Sequence, residues 1–329
     1  MKRIRLLLIF LAIVLALAPI CDANSKTITL RWVNFLPGPH PSTTIYKIFT
    51  ERVDELAKGE LVMKFAGGPE VIKSMDLAMS VKNGVVDIGH LPATYYEGLV
   101  PGAGIIELSE LTPQEERESG AIGILREMHR KAGLFPIGRG VCQNRRQFHI
   151  VLKKRVNTLK DLDGKILGAS GMLFSGVAKG FDMGFTLIPL PDSFTAIQRG
   201  VVDGYVMPFN TFTGFGVHEV AKYVIHHPFF YADTLTIINL DKWNSLPKQL
   251  QTIILEAQAA TESLRAKDER AKIYWDRPLK ILKKAGVELL EFSPSDAERY
   301  VKTIYRIETE RQLKMAPEYG PRLLKAVKK

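Results

Sequence analysis

The residue types that carry enzymatic or metal chemistry occur in this sequence without the spacing that such chemistry requires. The adjacent His226 and His227 would point to opposite faces of a strand and could not share a metal ion. Ser170-Gly171 and Ser175-Gly176 lack the Gly-x-Ser-x-Gly elbow of hydrolases, and Gly102-Ala103-Gly104 lacks the further glycine of a phosphate-binding loop. We therefore expect no catalytic residue, no metal site and no cofactor, and the pattern favours a binding function.

The N-terminal residues have the pattern of a secretory signal peptide. Lys2, Arg3 and Arg5 precede an apolar run over residues 6–20, and small Ala23 follows shortly after it. We predict cleavage after residue 23 and a periplasmic protein; lipid anchoring through Cys21 is the less favoured alternative. Only Cys142 would remain, so no intrachain disulfide is expected.

The positive charge of the chain does not form a nucleic-acid surface. The formal net charge is +10, but the basic residues are spread along the sequence. The densest group, at residues 153–155, lies between Leu152 and Val156 and resembles a solvated turn. Nucleic-acid binding would place basic and aromatic residues together on one surface, so we expect no such partner.

The same short motif occurs in both halves of the chain. Residues 84–92 read GVVDIGHLP and residues 200–208 read GVVDGYVMP. A glycine at a helix end often adopts a left-handed conformation before a strand, which is the role we predict for Gly84 and Gly200. The repeat indicates two structurally similar halves.

Each half has the pattern β-α-β-α-β. The predicted strands are 28–34, 61–65, 85–89, 165–169, 185–190 and 201–205, and the predicted helices are 42–57, 71–82, 170–183 and 192–199. Ser42, Ser170 and Asp192 are the predicted N-caps. Apolar strands that alternate with helices indicate parallel sheets covered on both faces, so we predict the α/β class with two similar lobes.

Two such lobes would enclose a cleft, because open α/β sheets bind ligands beyond the carboxyl ends of their strands. The loops expected to line it are 35–41, 91–96, 170–174 and 207–215. A further strand is predicted at 235–239, followed by a long helix from Pro247 to about Pro278 that would span both lobes. A final helix begins within 293–296 and runs to about Met315.

Three stretches of the sequence carry a resemblance to a known family. Residues 159–166 (LKDLDGKI), 194–204 (FTAIQRGVVDG) and 243–247 (WNSLP) make the chain resemble the solute-binding subunit of a tripartite ATP-independent periplasmic (TRAP) transporter, of the dicarboxylate-binding type. The resemblance implies a flytrap-like periplasmic binding protein that closes on a small organic anion. It would deliver the ligand to TRAP membrane permease subunits, and it would not be an enzyme.

The resemblance also suggests how the chain is divided into lobes. Lobe I would comprise residues 24–149 and about 237–276. Lobe II would comprise residues 150–236 and about 277–329, including the C-terminal helices. Some members of the family dimerise through the long helix, so both a monomer and a homodimer remain open.

The sequence departs from the family where the ligand carboxylate is usually bound. Leu167 stands where the family usually has an arginine, and residues 206–208 (VMP) replace a usual Glu-Asn-Pro. The planar guanidinium that pairs with a carboxylate through two hydrogen bonds is therefore missing at this position. Arg145 and Arg146 are candidates for a relocated anchor, with Arg139 behind them.

The loops expected at the cleft are rich in aromatic residues. With Leu167 they favour an aromatic or branched carboxylate as the ligand, and Asn210 could supply a polar contact. The remaining candidate ligand contacts are His40, Tyr95, Phe174, Met207 and Phe209. Two other functions stay open at this point: presentation of the ligand to a membrane sensor, and a secreted α/β enzyme that uses the same cleft.

Overall fold

The computed structural model describes residues 27–140, 146–231, 234–265 and 275–328. The predicted signal peptide, Cys142, Arg145 and the middle of the predicted spanning helix lie outside these ranges, as does the side chain of Ser42. Within them, no helix is both long enough and apolar enough to cross a membrane.

The strands of the described residues form two sheets. In chain order they are β1 (Ile28–Asn34), β2 (Leu61–Gly67), β3 (Ile88–Leu91), β4 (Leu134–Arg139), β5 (His149–Leu152), β6 (Ile166–Ala169), β7 (Gly184–Leu187), β8 (Gly204–Met207), β9 (Tyr223–Ile225), β10 (Leu235–Asn239) and β11 (Glu288–Leu290). The first sheet has the order β2-β1-β3-β10-β4 and the second β11-β9-β5-β8-β6-β7. Both sheets are mixed: β10 is antiparallel to β3 and β4, and β5 is antiparallel to β8 and β9.

Helices cover both sheets. They are α1 (Pro41–Ala57), α2 (Leu77–Lys82), α3 (Pro113–Glu118), α4 (Ala121–Lys131), α5 (Ser175–Lys179), α6 (Ser193–Gln198), α7 (Phe209–Gly214), α8 (Leu240–Ser245), α9 (Lys248–Arg265), α10 (Arg277–Lys284), α11 (Pro294–Met315) and α12 (Gly320–Ala326). The predicted α/β class with two lobes is confirmed.

Alternation along the strands separates the buried faces of each sheet. In β1, Leu30 and Trp32 pack under α1 and α9, whereas Val33 packs with α2 on the opposite face. In the second sheet, Leu152 packs under α5 and α11, whereas Val151 faces α6 and α7. The C-terminal α12 returns to the first lobe, where it packs against α4.

The glycine of the repeated motif ends a helix in both halves. Gly84 and Gly200 have φ values of 71° and 73°, in the left-handed region that glycine adopts without strain. The next residue then bonds back into the helix, since the amides of Val85 and Val201 each donate to a carbonyl five residues earlier, at 2.9 Å. The prediction for both glycines is confirmed.

In each half, the aspartate side chain of the repeated motif accepts a hydrogen bond from the neighbouring strand. Asp87 Oδ2 accepts from the Arg31 amide at 2.7 Å, and Asp203 Oδ2 accepts from the Ile166 amide at 2.8 Å. Each bond satisfies a backbone amide of a strand that would otherwise have no partner in the strand pairing. The motif therefore encodes the same helix-to-strand connection in both lobes.

Several predicted boundaries were wrong because turns replace parts of the expected elements. The predicted helix 71–82 is only α2, since the amides of Val71 and Ile72 bond to the Gly68 carbonyl in a turn. The predicted helix 170–183 is a 3₁₀ turn (Met172–Phe174) followed by α5, and β3 and β8 begin three residues later than predicted. Ser170 and Asp192 do not cap helices through their side chains.

The C-terminal helix begins and ends as predicted. Ser293 is its N-cap, and its hydroxyl accepts from the Asp296 amide at 3.2 Å. Pro294 occupies the first turn, where a missing amide has no cost. The bounds of β1 and β10 are also as predicted.

Candidate functional site

A cavity lies between the two lobes at the carboxyl ends of the strands. Its volume is about 70 Å³. All four loops predicted at the cleft contribute to its wall. The first lobe supplies Phe35, Leu36, Pro92, Thr94, Tyr95 and Glu107, the crossing segment supplies Phe148, and the second lobe supplies Ser170, Phe174, Met207, Asn210 and Thr211.

Four of the predicted contact residues line this cavity: Tyr95, Phe174, Met207 and Asn210. The Tyr95 hydroxyl donates to Ser170 Oγ at 2.9 Å, so the two lobes are hydrogen-bonded to each other at the cavity wall. Phe174 packs on Phe148 with a centroid distance of 4.8 Å. The wall is therefore mainly apolar and aromatic, with a few polar groups, as is usual for a small-molecule site.

The structure places Leu167, Phe209 and His40 away from the cavity wall. Leu167 is fully buried in β6, and its side chain belongs to the core under α5 and α11. Phe209 stacks on the buried His149 at 4.1 Å. Burial lowers the pKa of His40 to about 4, so its imidazole is neutral at physiological pH.

The basic candidates do not line the cavity within the described residues. Arg146 lies over the ring of Tyr305 at 4.9 Å. The buried Arg139 guanidinium donates to Glu116 Oε1 at 2.8 Å and to the Ile106 carbonyl at 3.0 Å. Arg145 falls outside the described ranges. Among the described lining residues there is no lysine or arginine, so none of them supplies a guanidinium fork.

Sequence reasoning missed the acidic residue of the cavity, Glu107. Its side chain is buried, and its Oε1 accepts from the Thr94 hydroxyl at 3.0 Å and from the Thr94 amide at 3.3 Å. Burial raises the pKa of Glu107 to about 8; the nearby Glu97 adds to this effect, and Thr94 and Arg139 oppose it. A single acid among the apolar residues 105–108 was the available signal.

Sequence reasoning also missed Gln147, which follows directly after the arginine pair. Its side chain is 2% exposed and lines the cavity. Among the described residues its Nε2 has no hydrogen-bond partner. A buried amide donor without a partner is costly, so this group has the chemistry of a ligand contact.

One segment connects these two residues across the lobes. The Gln147 amide donates to the Phe230 carbonyl at 2.9 Å, and the next amide, of Tyr231, donates to the Glu107 carbonyl at 3.2 Å. Phe230 is fully buried and has a φ of 43°, in the left-handed region that bulky residues rarely adopt. Such strain persists where the surrounding structure enforces it, often at functional sites.

A second connection between the lobes is ionic. Arg311 of α11 donates to both oxygens of Glu97, at 2.9 and 3.0 Å, and to both oxygens of Glu308, at 2.7 Å. Gln312 donates to Glu308 at 2.7 Å and also contacts Glu97. Both carboxylates are almost completely buried. We call these four residues the α11 clamp.

Two α/β lobes that enclose a small and mainly apolar cavity define a two-lobed binding protein. The chain belongs to family 7 of the bacterial extracellular solute-binding proteins, because the DctP family model matches residues 34–310. The family consists of substrate-binding receptors, so the prediction that the protein is not an enzyme is confirmed.

A curated relative has a described ligand class. The monocarboxylate 2-oxoacid-binding periplasmic protein of Nostoc sp. is 25% identical over 224 residues, which cover 63% of this chain and 58% of the relative. An uncharacterized protein of Haemophilus influenzae is 28% identical over 120 residues, which cover 36% of this chain and 33% of the relative. The chain thus spans less than two thirds of the length of both relatives.

Solved structures of low sequence identity share the fold. A TRAP periplasmic solute binding protein from Desulfovibrio salexigens with bound orotic acid has a TM-score of 0.79 and 21% identity, and covers 91% of this chain and 97% of its own. A Bordetella pertussis extracytoplasmic solute receptor that binds pyroglutamic acid has a TM-score of 0.76 and 20% identity, with coverage of 92% and 99%. These matches show that the chain has the same fold as these two proteins.

Proposed function

We propose that this protein is the extracytoplasmic solute-binding subunit of a TRAP transporter. It captures a small organic acid in the interlobe cavity and delivers it to the membrane permease. The observation that carries the proposal is a cavity lined by both lobes in a chain that belongs to a solute-binding family. Neither a sensor partner nor an enzymatic reaction is favoured by any feature of the site.

The size of the cavity favours a small monocarboxylic acid. A cavity of about 70 Å³ suits a short 2-oxo acid such as pyruvate better than a hexuronic acid. The relative from Nostoc binds monocarboxylate 2-oxoacids, and solved structures of the same fold hold orotic or pyroglutamic acid. The aromatic wall residues Phe35, Phe148 and Phe174 would pack on the carbon chain of the ligand.

The proposal includes export. The basic residues and the apolar run before Ala23 would direct the chain across the inner membrane, and the signal would be removed there. A periplasmic location agrees with the family, whose model is that of extracellular solute-binding proteins.

A thermal-shift screen tests the ligand class. We would compare pyruvate, 2-oxobutanoate, pyroglutamate, orotate and glucuronate, with pyruvamide as the uncharged match to pyruvate. A ligand at 100 times its Kd stabilises the folded state by about 2.7 kcal/mol. Since about 1 kcal/mol shifts the midpoint by roughly 2–4 °C, we expect a rise of several degrees with a small acid and none with pyruvamide.

Other outcomes of the screen would count against the proposal. Shifts with neutral compounds alone would overturn the assignment of an organic acid.

Substitution of Arg146 by glutamine should leave the thermal shift unchanged, because the Arg146 guanidinium packs on Tyr305. Loss of the shift in Arg145→Gln would instead identify that residue as the relocated anchor.

A further inference from the structure

We propose that two uncharged donors, the protonated carboxyl of Glu107 and the side-chain amide of Gln147, hold the ligand carboxylate in place of an arginine. This inference rests on the proposed function, since it assigns the recognition of an acid within the same cavity. It implies that the protein binds the anion together with a proton that stays on Glu107.

The first donor is placed by the crossing between the lobes. Two hydrogen bonds hold the main chain of Gln147: its amide donates to the Phe230 carbonyl at 2.9 Å, and its carbonyl accepts from the His149 side chain, at Nδ1, at 2.7 Å. Its side chain lines the cavity, and Nε2 has no partner among the described residues. An oxygen of the ligand would satisfy this donor.

The second donor comes from the first lobe. Thr94 donates twice to Glu107 Oε1, and both bonds fix the carboxyl group against the cavity. Within the described residues no hydrogen bond involves the other oxygen, Oε2. A protonated Oε2 is therefore available to donate to a ligand oxygen, which an ionised carboxylate would repel.

The surroundings of Glu107 favour its uncharged form. Burial raises its pKa to about 8, and the carboxylate of Glu97 acts in the same direction, while the cation of Arg139 opposes them. Tyr95 and Tyr96 also face this group, and burial raises the pKa of both hydroxyls, so they stay neutral. At neutral pH most molecules therefore present a carboxylic acid to the cavity.

The pH dependence of binding follows from this protonation. Above the pKa of Glu107, each further pH unit lowers the protonated fraction tenfold. Affinity for an acid should thus be constant from about pH 6 to 7 and fall about tenfold by pH 9, given the pKa of about 8. If an arginine held the carboxylate instead, the affinity would stay constant over this range, because a guanidinium remains charged.

Calorimetric titration of the purified protein with pyruvate, or with the acid that gives the largest thermal shift, tests the inference at pH 6.5 and 9. Glu107→Gln keeps a donor that cannot ionise, so its affinity should match that of the unsubstituted protein at pH 6.5 and stay constant to pH 9. The control is Glu110→Gln, an exposed acid three residues away, which should retain the tenfold fall. Gln147→Leu should weaken binding by about tenfold or more at both pH values.

An infrared difference spectrum provides a readout that needs no ligand. At pH 6.5 the unsubstituted protein should show a carboxylic acid band that Glu107→Gln lacks. Absence of that band, or acid binding that is equal at pH 6.5 and 9, would overturn the inference and leave the proposed function standing. Loss of all binding in Glu107→Gln, with an unchanged unfolding midpoint, would also overturn it. Binding of none of the five acids would overturn the proposed function as well.

Discussion

The α11 clamp gives a quantitative prediction about stability. In Arg311→Met the two buried carboxylates of Glu97 and Glu308 lose their shared cation. Removal of one partner from a buried ion pair costs about 3–5 kcal/mol, because the remaining charge stays desolvated. The side chain of Arg311 is 20% exposed, so we expect a loss near the lower end, about 3 kcal/mol.

The same helix contains a matched control. Arg306 pairs with Glu310 at 3.0 Å, but these side chains are 61% and 63% exposed. Exposed pairs at this spacing contribute about 0.3–0.5 kcal/mol. Urea unfolding at pH 7.5, followed by far-UV circular dichroism, should therefore show a large loss for Arg311→Met and almost none for Arg306→Met.

The loss should depend on pH in a defined direction. Burial raises the pKa of Glu308 to about 7 even with Arg311 present, and Glu97 adds to the effect. Without the cation Glu308 should take up a proton still more readily, so the deficit of Arg311→Met should shrink as the pH falls from 7.5 to 5.5. Equal losses in the two variants, or a deficit that is independent of pH, would refute the account of the clamp.

Two further predictions follow from buried groups. Leu167→Arg should lower the free energy of unfolding by at least about 3 kcal/mol, because the arginine side chain would enter the core under α5 and α11. It should not improve acid binding. Tighter binding without loss of stability would show that the arginine reaches the cavity. The thermal midpoint should fall as the pH rises from 6.5 to 8, because the pKa values of Glu107 and Glu308 are raised to about 8 and 7 in the folded state and the unfolded chain has already lost these protons. Below pH 6.5 the two acids continue to favour the folded state, but burial lowers the pKa values of His129 and His149 to about 4 and 3, so the unfolded chain takes up protons there first and the midpoint should level off. A midpoint that rises steadily from pH 6.5 to 5 would contradict the second of these.

The repeated motif allowed the two-lobed fold to be predicted from the sequence alone. Its glycine and aspartate act through local backbone geometry, which is encoded within a few residues. Periodicity placed β1 and β10 correctly for the same reason. It failed for the helix at 71–82, because the turn that bonds to the Gly68 carbonyl competes with helix and leaves no trace in the apolar pattern.

The cavity was only partly predictable. The rule that ligands bind beyond the carboxyl ends of strands located all four loops, but it could not tell which side chains face inward. Leu167 occupies the position of the family's arginine in sequence, yet the face of β6 on which it lies is covered by α5 and by α11, which comes from a distant part of the chain. Glu107 and Gln147 reach the cavity through long-range pairing with residues 230–231, which no local spacing reveals.

The pairing of the two crossing segments also limits how the lobes can move. Phe148 and Phe229 exchange two backbone hydrogen bonds, both at 3.1 Å, so the described parts of the two crossings form a narrow antiparallel ribbon. A hydrogen-bonded ribbon resists stretching along its length and sliding of one strand past the other, but it bends across its flat face. The lobes should therefore swing about a single axis through this ribbon, as in hinge closure, rather than shear past each other.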